Sequence, residues 1–301
     1  MLENQHPFLT GPRTLTGIAK MIYLIVNGIT QKLRIPKPNS ECVIVQKHFS
    51  KVNDTQNFTE LFSKMPLLSK DLSIKAFAID IDGTLTENGS GMIYLPAVSK
   101  MRFLEKIGYR VFFVTGRSSI EAYILSVFLG ITRVAVGENG GVVSNGPSDH
   151  TILGNKELCL KGYEILRQCL SNVDIKPVFP RMSEVVLQRT FDIKEGIKIL
   201  RENKLDLDIV DSKYAFHINE LGVNKAKGLN VALKFMNVEP KEVVAIGDSE
   251  TDISVFGISG LSIALGHSDD AVKVHADHVV NGKEGVGLCD AIDYVSLNYL
   301  R

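Results

Sequence analysis

Two aspartates separated by one isoleucine close the apolar run AFAIDIDGTLT, residues 76–86. Residues i and i+2 of an extended segment project to the same side, so Asp80 and Asp82 can converge on one ion or one reacting atom. Two carboxylates that close repel each other and raise a pKa unless a cation neutralises them. Mg2+ is the natural partner, since it prefers a few carboxylates together with substrate phosphate oxygens. A calcium loop fits less well, because the EF-hand pattern puts its glycine two positions later, ends in a bidentate glutamate and lies between helices. A polar turn closing a strand is the plainest alternative for an isolated Asp-Gly.

Three further segments carry groups of the same kind. VTGRS, residues 114–118, offers the Thr115 hydroxyl and, at Gly116, a backbone amide that a ligand can approach, together a cradle for phosphoryl oxygens. IGDSETD, residues 246–252, adds Asp248 and Asp252, with Ser249 between them. GVNKAKG, residues 222–228, places Lys225 and Lys227 within two positions of each other. Taken singly, a Thr-Gly is often only a turn and a lysine is usually solvated. Their value depends on what brings them together.

The intervening pattern supplies that frame. From about residue 74, short β-branched runs alternate with amphipathic segments, the pattern of parallel strands and crossover helices. SIKAFAID, YRVFFVTG, RVAVGENGGVV, KEVVAIGD and LSIALG read as strands; PAVSKMRFLEKIG and SIEAYILSVFLGI read as helices. In open parallel sheets ligands bind outside the carboxyl ends of the strands, which is where Asp80, Thr115 and Asp248 fall. The expected fold class is α/β: a Rossmann-like parallel sheet core with helices on both faces and an inserted small α/β cap domain. Residues 71–152 and 221–301 form the core and 153–220 the insertion, with candidate hinges near Gly154 and Gly222. Within the insertion, NKELCLKGYEILRQCL and IKEGIKILREN read as helices, and SEVVLQRT, LDIV and YAFHIN as strands.

The 301 residues are 45% hydrophobic and 23% charged, enough to bury a sizeable core. Thirty-four basic and thirty-four acidic residues leave no net field to draw the chain to nucleic acid or a membrane surface, so any charged ligand must be met locally. Cys42, Cys159, Cys169 and Cys289 form neither a CxxC pair nor a dense framework, which points to reduced thiols and a cytoplasmic location. MIYLIVNGI, residues 21–29, is well short of the roughly 20 residues a spanning helix needs, and no small-residue cleavage site follows it. Residues 1–70 show no periodicity and read as a loosely ordered extension, with Met65 an alternative start.

In order, DIDGT, VTGR, VNKAKG and GDSETD resemble the four signature motifs of the haloacid dehalogenase-like superfamily of phosphohydrolases. GENGG at 137–141 and the terminal ALGHSDDAVKVHADHVV resemble its Cof-type branch, and the likeness covers about residues 74–301. The resemblance implies that Asp80 is a nucleophile that forms an aspartyl-phosphate. It implies that Asp82 is the general acid and then base. Thr115, Gly116 and Lys225 would hold phosphoryl oxygens, with Lys225 preferred over Lys227. Asp80, Asp82, Asp248 and Asp252 would surround Mg2+, Asp252 either as a ligand or as an anchor behind one; Ser249 and Asn139 are weaker candidates.

The interval between Asp82 and Thr115 is too short for a cap, whereas that between Thr115 and Lys225 has room for one, the C2 arrangement of this superfamily. A compact cap suits a small phosphorylated metabolite. The chain resembles the archaeal branch of phosphoglycolate phosphatases, which implies hydrolysis of 2-phosphoglycolate to glycolate and phosphate, with Arg181 or Arg189 available for the substrate carboxylate. A sugar-phosphate or broad-specificity phosphatase is the alternative within the superfamily; a phosphomutase or a non-catalytic phosphate-binding regulator is the alternative outside that activity. Oligomeric state stays open, a homodimer included.

Overall fold

The computed structural model describes residues 72–87 and 90–300, together with the backbone of two strands, Arg34–Pro36 (β1) and Cys42–Ile44 (β2), which pair antiparallel. Apart from that pair, the expectations for residues 1–70, Met65 and the 21–29 run lie outside the described residues.

The rest of the chain begins with β3 (Ala76–Ile79), α1 (Leu95–Lys106), β4 (Arg110–Val114), α2 (Ser119–Leu129), β5 (Ala135–Gly137), β6 (Val142–Ser144) and β7 (His150–Ile152). It continues through α3 (Lys156–Cys169), β8 (Val185–Leu187), α4 (Ile193–Glu202), β9 (Leu207–Asp211) and β10 (Phe216–Glu220). It closes with α5 (Lys225–Met236), β11 (Val243–Gly247), α6 (Ile253–Phe256), β12 (Leu261–Ala264), α7 (Asp270–Lys273), β13 (His278–Val279) and α8 (Glu284–Asn298). One eight-stranded sheet runs in the order β13-β12-β11-β3-β4-β5-β6-β7. Its strands are parallel from β13 to β5, and the β5-β6-β7 edge is antiparallel.

The parallel strands are buried on both faces, so they read as continuous apolar runs rather than alternating ones. Ala76 and Ala78 of β3 pack with Phe112 and Val114 of β4 against Leu229, Ala232 and Leu233 of α5. Phe77, Ile79, Val111 and Phe113 face the other way and are equally buried. Local signals set the helix ends. α2 starts on a Ser118–Glu121 capping box and stops at Gly130 in the left-handed region. At α5 the Asn224 side chain accepts from Lys227 N and fixes the start of the helix at Lys225.

Residues 156–220 build a separate three-stranded antiparallel sheet, ordered β8-β10-β9. Helices α3 and α4 cover it, and Cys159, Tyr163, Leu166, Leu187, Leu200 and Ile218 fill a core of their own. Among the described residues Cys159, Cys169 and Cys289 are free, and no helix is long and apolar enough to cross a membrane.

Candidate active site

Adjacent strands β3 and β11 end side by side, and each delivers an acidic loop to the same edge of the sheet. After Asp80 the chain turns tightly, with the Ile81 carbonyl accepting from Thr84 N, Leu85 N and Thr86 N. Gly83 makes the turn possible at φ +77°, where a Cβ would also lie only 2.6 Å from Asp248 Oδ2. The turn aims Thr84 Oγ1 at Asp248 Oδ1, 2.8 Å away. Gly247 lets Asp252 fold back beneath the β11 end, so that Asp252 Oδ2 accepts from Asp248 N (3.1 Å), Ser249 N (2.9 Å) and Ser249 Oγ (2.9 Å).

Asp80, Asp248 and Asp252, all buried, each present an oxygen within 4.8 Å of the other two. Lys225 Nζ reaches this cluster from the first position of α5, 2.7 Å from Asp252 Oδ1 and 3.1 Å from Asp80 Oδ1. Burial pushes the Asp80 pKa well up; Lys225 works against this, while the charges of Asp252, Asp248 and Asp82 add to it. For Lys225, burial opposes the charge, but Asp252 and Asp80 outweigh it and hold the ammonium above its ordinary pKa. Asp80 Oδ1 has no hydrogen bond of good geometry. An all-oxygen donor set with an unsatisfied carboxylate oxygen suits a hard divalent cation.

The other expected residues divide by position. Thr115, buried at the end of β4, accepts from Arg117 N at Oγ1, and the neighbouring Gly116 carbonyl accepts from Arg181 Nη1 at 2.7 Å. The Asp82 side chain lies outside the carboxylate cluster and is 44% exposed, with both its oxygens taken by Arg117. Lys227 is exposed and donates to the Leu153 carbonyl. Ser249 serves Asp252, and Asn139 donates from Nδ2 to Glu184. Arg189 is exposed and committed to Asp211 and the Lys213 carbonyl.

Several contributing residues were not singled out from the sequence. Thr84 and Arg117 sit inside the quoted motifs, so their hydroxyl and guanidinium were open to notice. His267 Nε2 lies 3.3 Å from Asp248 Oδ2. Glu138, Glu184 and His217 form a buried network linking the 138–140 turn to the smaller sheet. Burial and the Glu184 charge push Glu138 up; for Glu184 burial is outweighed by His217 and Arg181, which hold it below the usual carboxylate range. Glu138 lies inside the quoted GENGG, but no local pattern marks Glu184 or His217, whose partners include residues far away in the chain.

A parallel sheet whose strand ends gather carboxylates, a lysine and a buried threonine can hold a divalent cation beside a phosphoryl group. The haloacid dehalogenase-like hydrolase family matches residues 77–179 and 186–292. A phosphoglycolate phosphatase of Nitrosopumilus maritimus is 48% identical over 219 residues, 73% of this chain and 95% of the relative. One of Archaeoglobus fulgidus is 34% identical over 224 residues, 74% and 97% of the two chains. A crystal structure from Thermoplasma acidophilum superposes with a TM-score of 0.67 at 25% identity, covering 74% of this chain and 99% of the other. The chain belongs to the haloacid dehalogenase-like hydrolase family.

Proposed function

We propose that the protein is a phosphatase that hydrolyses 2-phosphoglycolate to glycolate and phosphate. The observation that carries the chemistry is the meeting of Asp80, Asp248, Asp252 and Lys225 beside Thr115 at the carboxyl ends of β3, β4 and β11. The 48% identical relative, a phosphoglycolate phosphatase, carries the substrate.

Asp80 attacks phosphorus and becomes an aspartyl-phosphate, splitting one difficult displacement into two easier ones. Asp82 protonates the departing glycolate oxygen and then takes a proton from the water that hydrolyses the intermediate. To do so it exchanges its pairing with Arg117 for a contact at the leaving oxygen. Thr115 Oγ1, Gly116 N–H and Lys225 Nζ hold the phosphoryl oxygens as charge spreads over them. Asp80 and Asp248 would hold Mg2+, with Asp252 behind them; when bound, the ion offsets the repulsion between the Asp80 carboxylate and the substrate dianion. Residues 153–220 act as a cap that closes over the site and excludes water.

Phosphate release with Mg2+ from a panel of 2-phosphoglycolate, sugar phosphates and an aryl phosphate tests this reading. A kcat/KM preference for 2-phosphoglycolate is expected. Preference for a sugar phosphate would keep the chemistry and remove the substrate, and transfer of phosphate to a second sugar hydroxyl would make the protein a mutase.

A further inference from the structure

Arg181 stands on the smaller domain yet lies against the loop that follows β4, with its side chain only 7% exposed. Its Nη1 donates to the Gly116 carbonyl at 2.7 Å and to Glu184 Oε1 at 2.7 Å. Those two bonds use one end of the guanidinium. Its Nε is buried without a partner, so the Nε–Nη2 edge carries no protein partner among the described residues. Arg117 grips the Asp82 carboxylate through the same edge. A planar fork with that edge free is shaped for a carboxylate, and leaving a donor of a charged group buried and unpaired is costly unless something else pairs with it.

The segment around Arg181 is fixed rather than loose. Met182 N, Ser183 N and Ser183 Oγ all donate to the Glu138 carboxylate, and Lys156 Nζ donates to the Glu184 carbonyl. The Glu184 carboxylate, fully buried, is held by Arg181, by Asn139 Nδ2 and by His217 Nδ1 at 3.0 Å; His217 Nε2 in turn meets Ser212 Oγ at 3.0 Å. Ion pairs of this kind are expensive to bury, and orienting a binding group is a use that repays them. Arg189, the other arginine with a claim on a substrate carboxylate, already spends its guanidinium on Asp211 and the Lys213 carbonyl.

We propose that Arg181 is the specificity residue of this site, receiving through its Nε–Nη2 edge a carboxylate carried two bonds beyond the phosphate ester oxygen, and that Glu184 is the residue that positions it. The proposal rests on the phosphatase reading above. It assigns the substrate class as a short phosphomonoester with an acidic tail.

The test compares 2-phosphoglycolate with 2-hydroxyethyl phosphate, which has the same length and a neutral tail, using the full chain with Mg2+ as wild type, Arg181→Ala and Arg181→Lys. The wild type is expected to favour 2-phosphoglycolate. Arg181→Ala should lose about 10- to 100-fold of that preference, mostly through KM, as expected for a charge-assisted contact to a carboxylate. Arg181→Lys, which keeps the charge without the fork, should recover only part of it, and free guanidinium should partly restore Arg181→Ala. Should Arg181→Ala fold poorly, the substrate ratio is read in Arg181→Lys, where it should still fall below that of the wild type. A wild-type preference that survives in the variants, with both substrates slowed equally, would reduce Arg181 to a strap between the two sheets and overturn the proposal. A wild type that does not distinguish the two substrates would instead remove the 2-phosphoglycolate reading.

Discussion

Arg117 holds both oxygens of Asp82 through one edge of its guanidinium, Nε to Oδ2 at 2.8 Å and Nη2 to Oδ1 at 2.7 Å. The carboxylate nearest in sequence to Asp80 is thereby kept out of the buried cluster and available at its margin. The same Arg117 donates its backbone N–H to Thr115 Oγ1, so one residue fixes both the acid–base candidate and the phosphate cradle. The guanidinium also reaches Glu121, and Asp82 is the main reason its pKa is held above the ordinary value.

Replacing Arg117 with alanine should therefore affect turnover more than folding. The pair is partly exposed, and such pairs contribute about 0–1 kcal/mol, so the melting temperature should move by less than about 5 °C. The kcat should fall about tenfold, short of the roughly 100- to 10,000-fold that loss of the acid–base group itself would cost. A large thermal shift with kcat unchanged would mean that the pair is purely structural.

Lys225 and Lys227 should separate cleanly. Lys225→Ala leaves two of the three buried carboxylates, Asp80 and Asp252, without their cation, a loss of about 3–5 kcal/mol in EDTA. Added Mg2+ should recover part of that stability, while kcat stays down by about 100- to 1000-fold. Lys227→Ala removes an exposed side chain and should stay within about 0.5 kcal/mol of wild type. Thermal melts with and without Mg2+, run beside phosphate release, distinguish the two; equal losses at both positions would contradict the geometry.

Thr84 orients Asp248 through a 2.8 Å hydrogen bond. Thr84→Val keeps the shape and removes the donor. Outer hydrogen bonds of this kind are worth about 10- to 100-fold in metal affinity, so half-saturation by Mg2+, followed by calorimetry, should shift upward by that factor. An unchanged Mg2+ isotherm would take Asp248 out of the metal site.

Glu184 gives the pH dependence a definite sign. Burial raises its pKa, but His217 and Arg181 lower it further, so the folded-state value lies below that of the unfolded chain. Its contribution is present above the unfolded glutamate pKa of about 4.3 and is lost as pH falls through the lower folded value. Glu184→Gln should be less stable at neutral pH, with a shallower loss on the acid side in urea melts. An acid limb as steep as in the wild type would show that the ionised form gains nothing from its partners.

Much of this arrangement was legible in the sequence. Strands buried on both faces are written as apolar runs, so Asp80, Thr115 and Asp248 could be placed at strand ends, and the inserted segment has a rhythm of its own that matches its separate sheet. The side-chain directions were not legible. Period two put Asp80 and Asp82 on one side, but the turn at Gly83 begins at once and Arg117 draws Asp82 away. Lys225 and Lys227 share the first turn of α5, and the Asn224 cap determines which of them faces the strand ends. The Glu138–Glu184–His217 network joins residues tens of positions apart, and no local pattern encodes such a meeting.

The most direct test of the central claim is to quench turnover of 2-phosphoglycolate in acid, reduce with borohydride, and read residues 76–86 by mass spectrometry. The account predicts homoserine in place of Asp80, absent without substrate and absent in Asp80→Asn, which should also release no phosphate. Steady turnover with residue 80 unmodified, or undiminished phosphate release by Asp80→Asn, would contradict it.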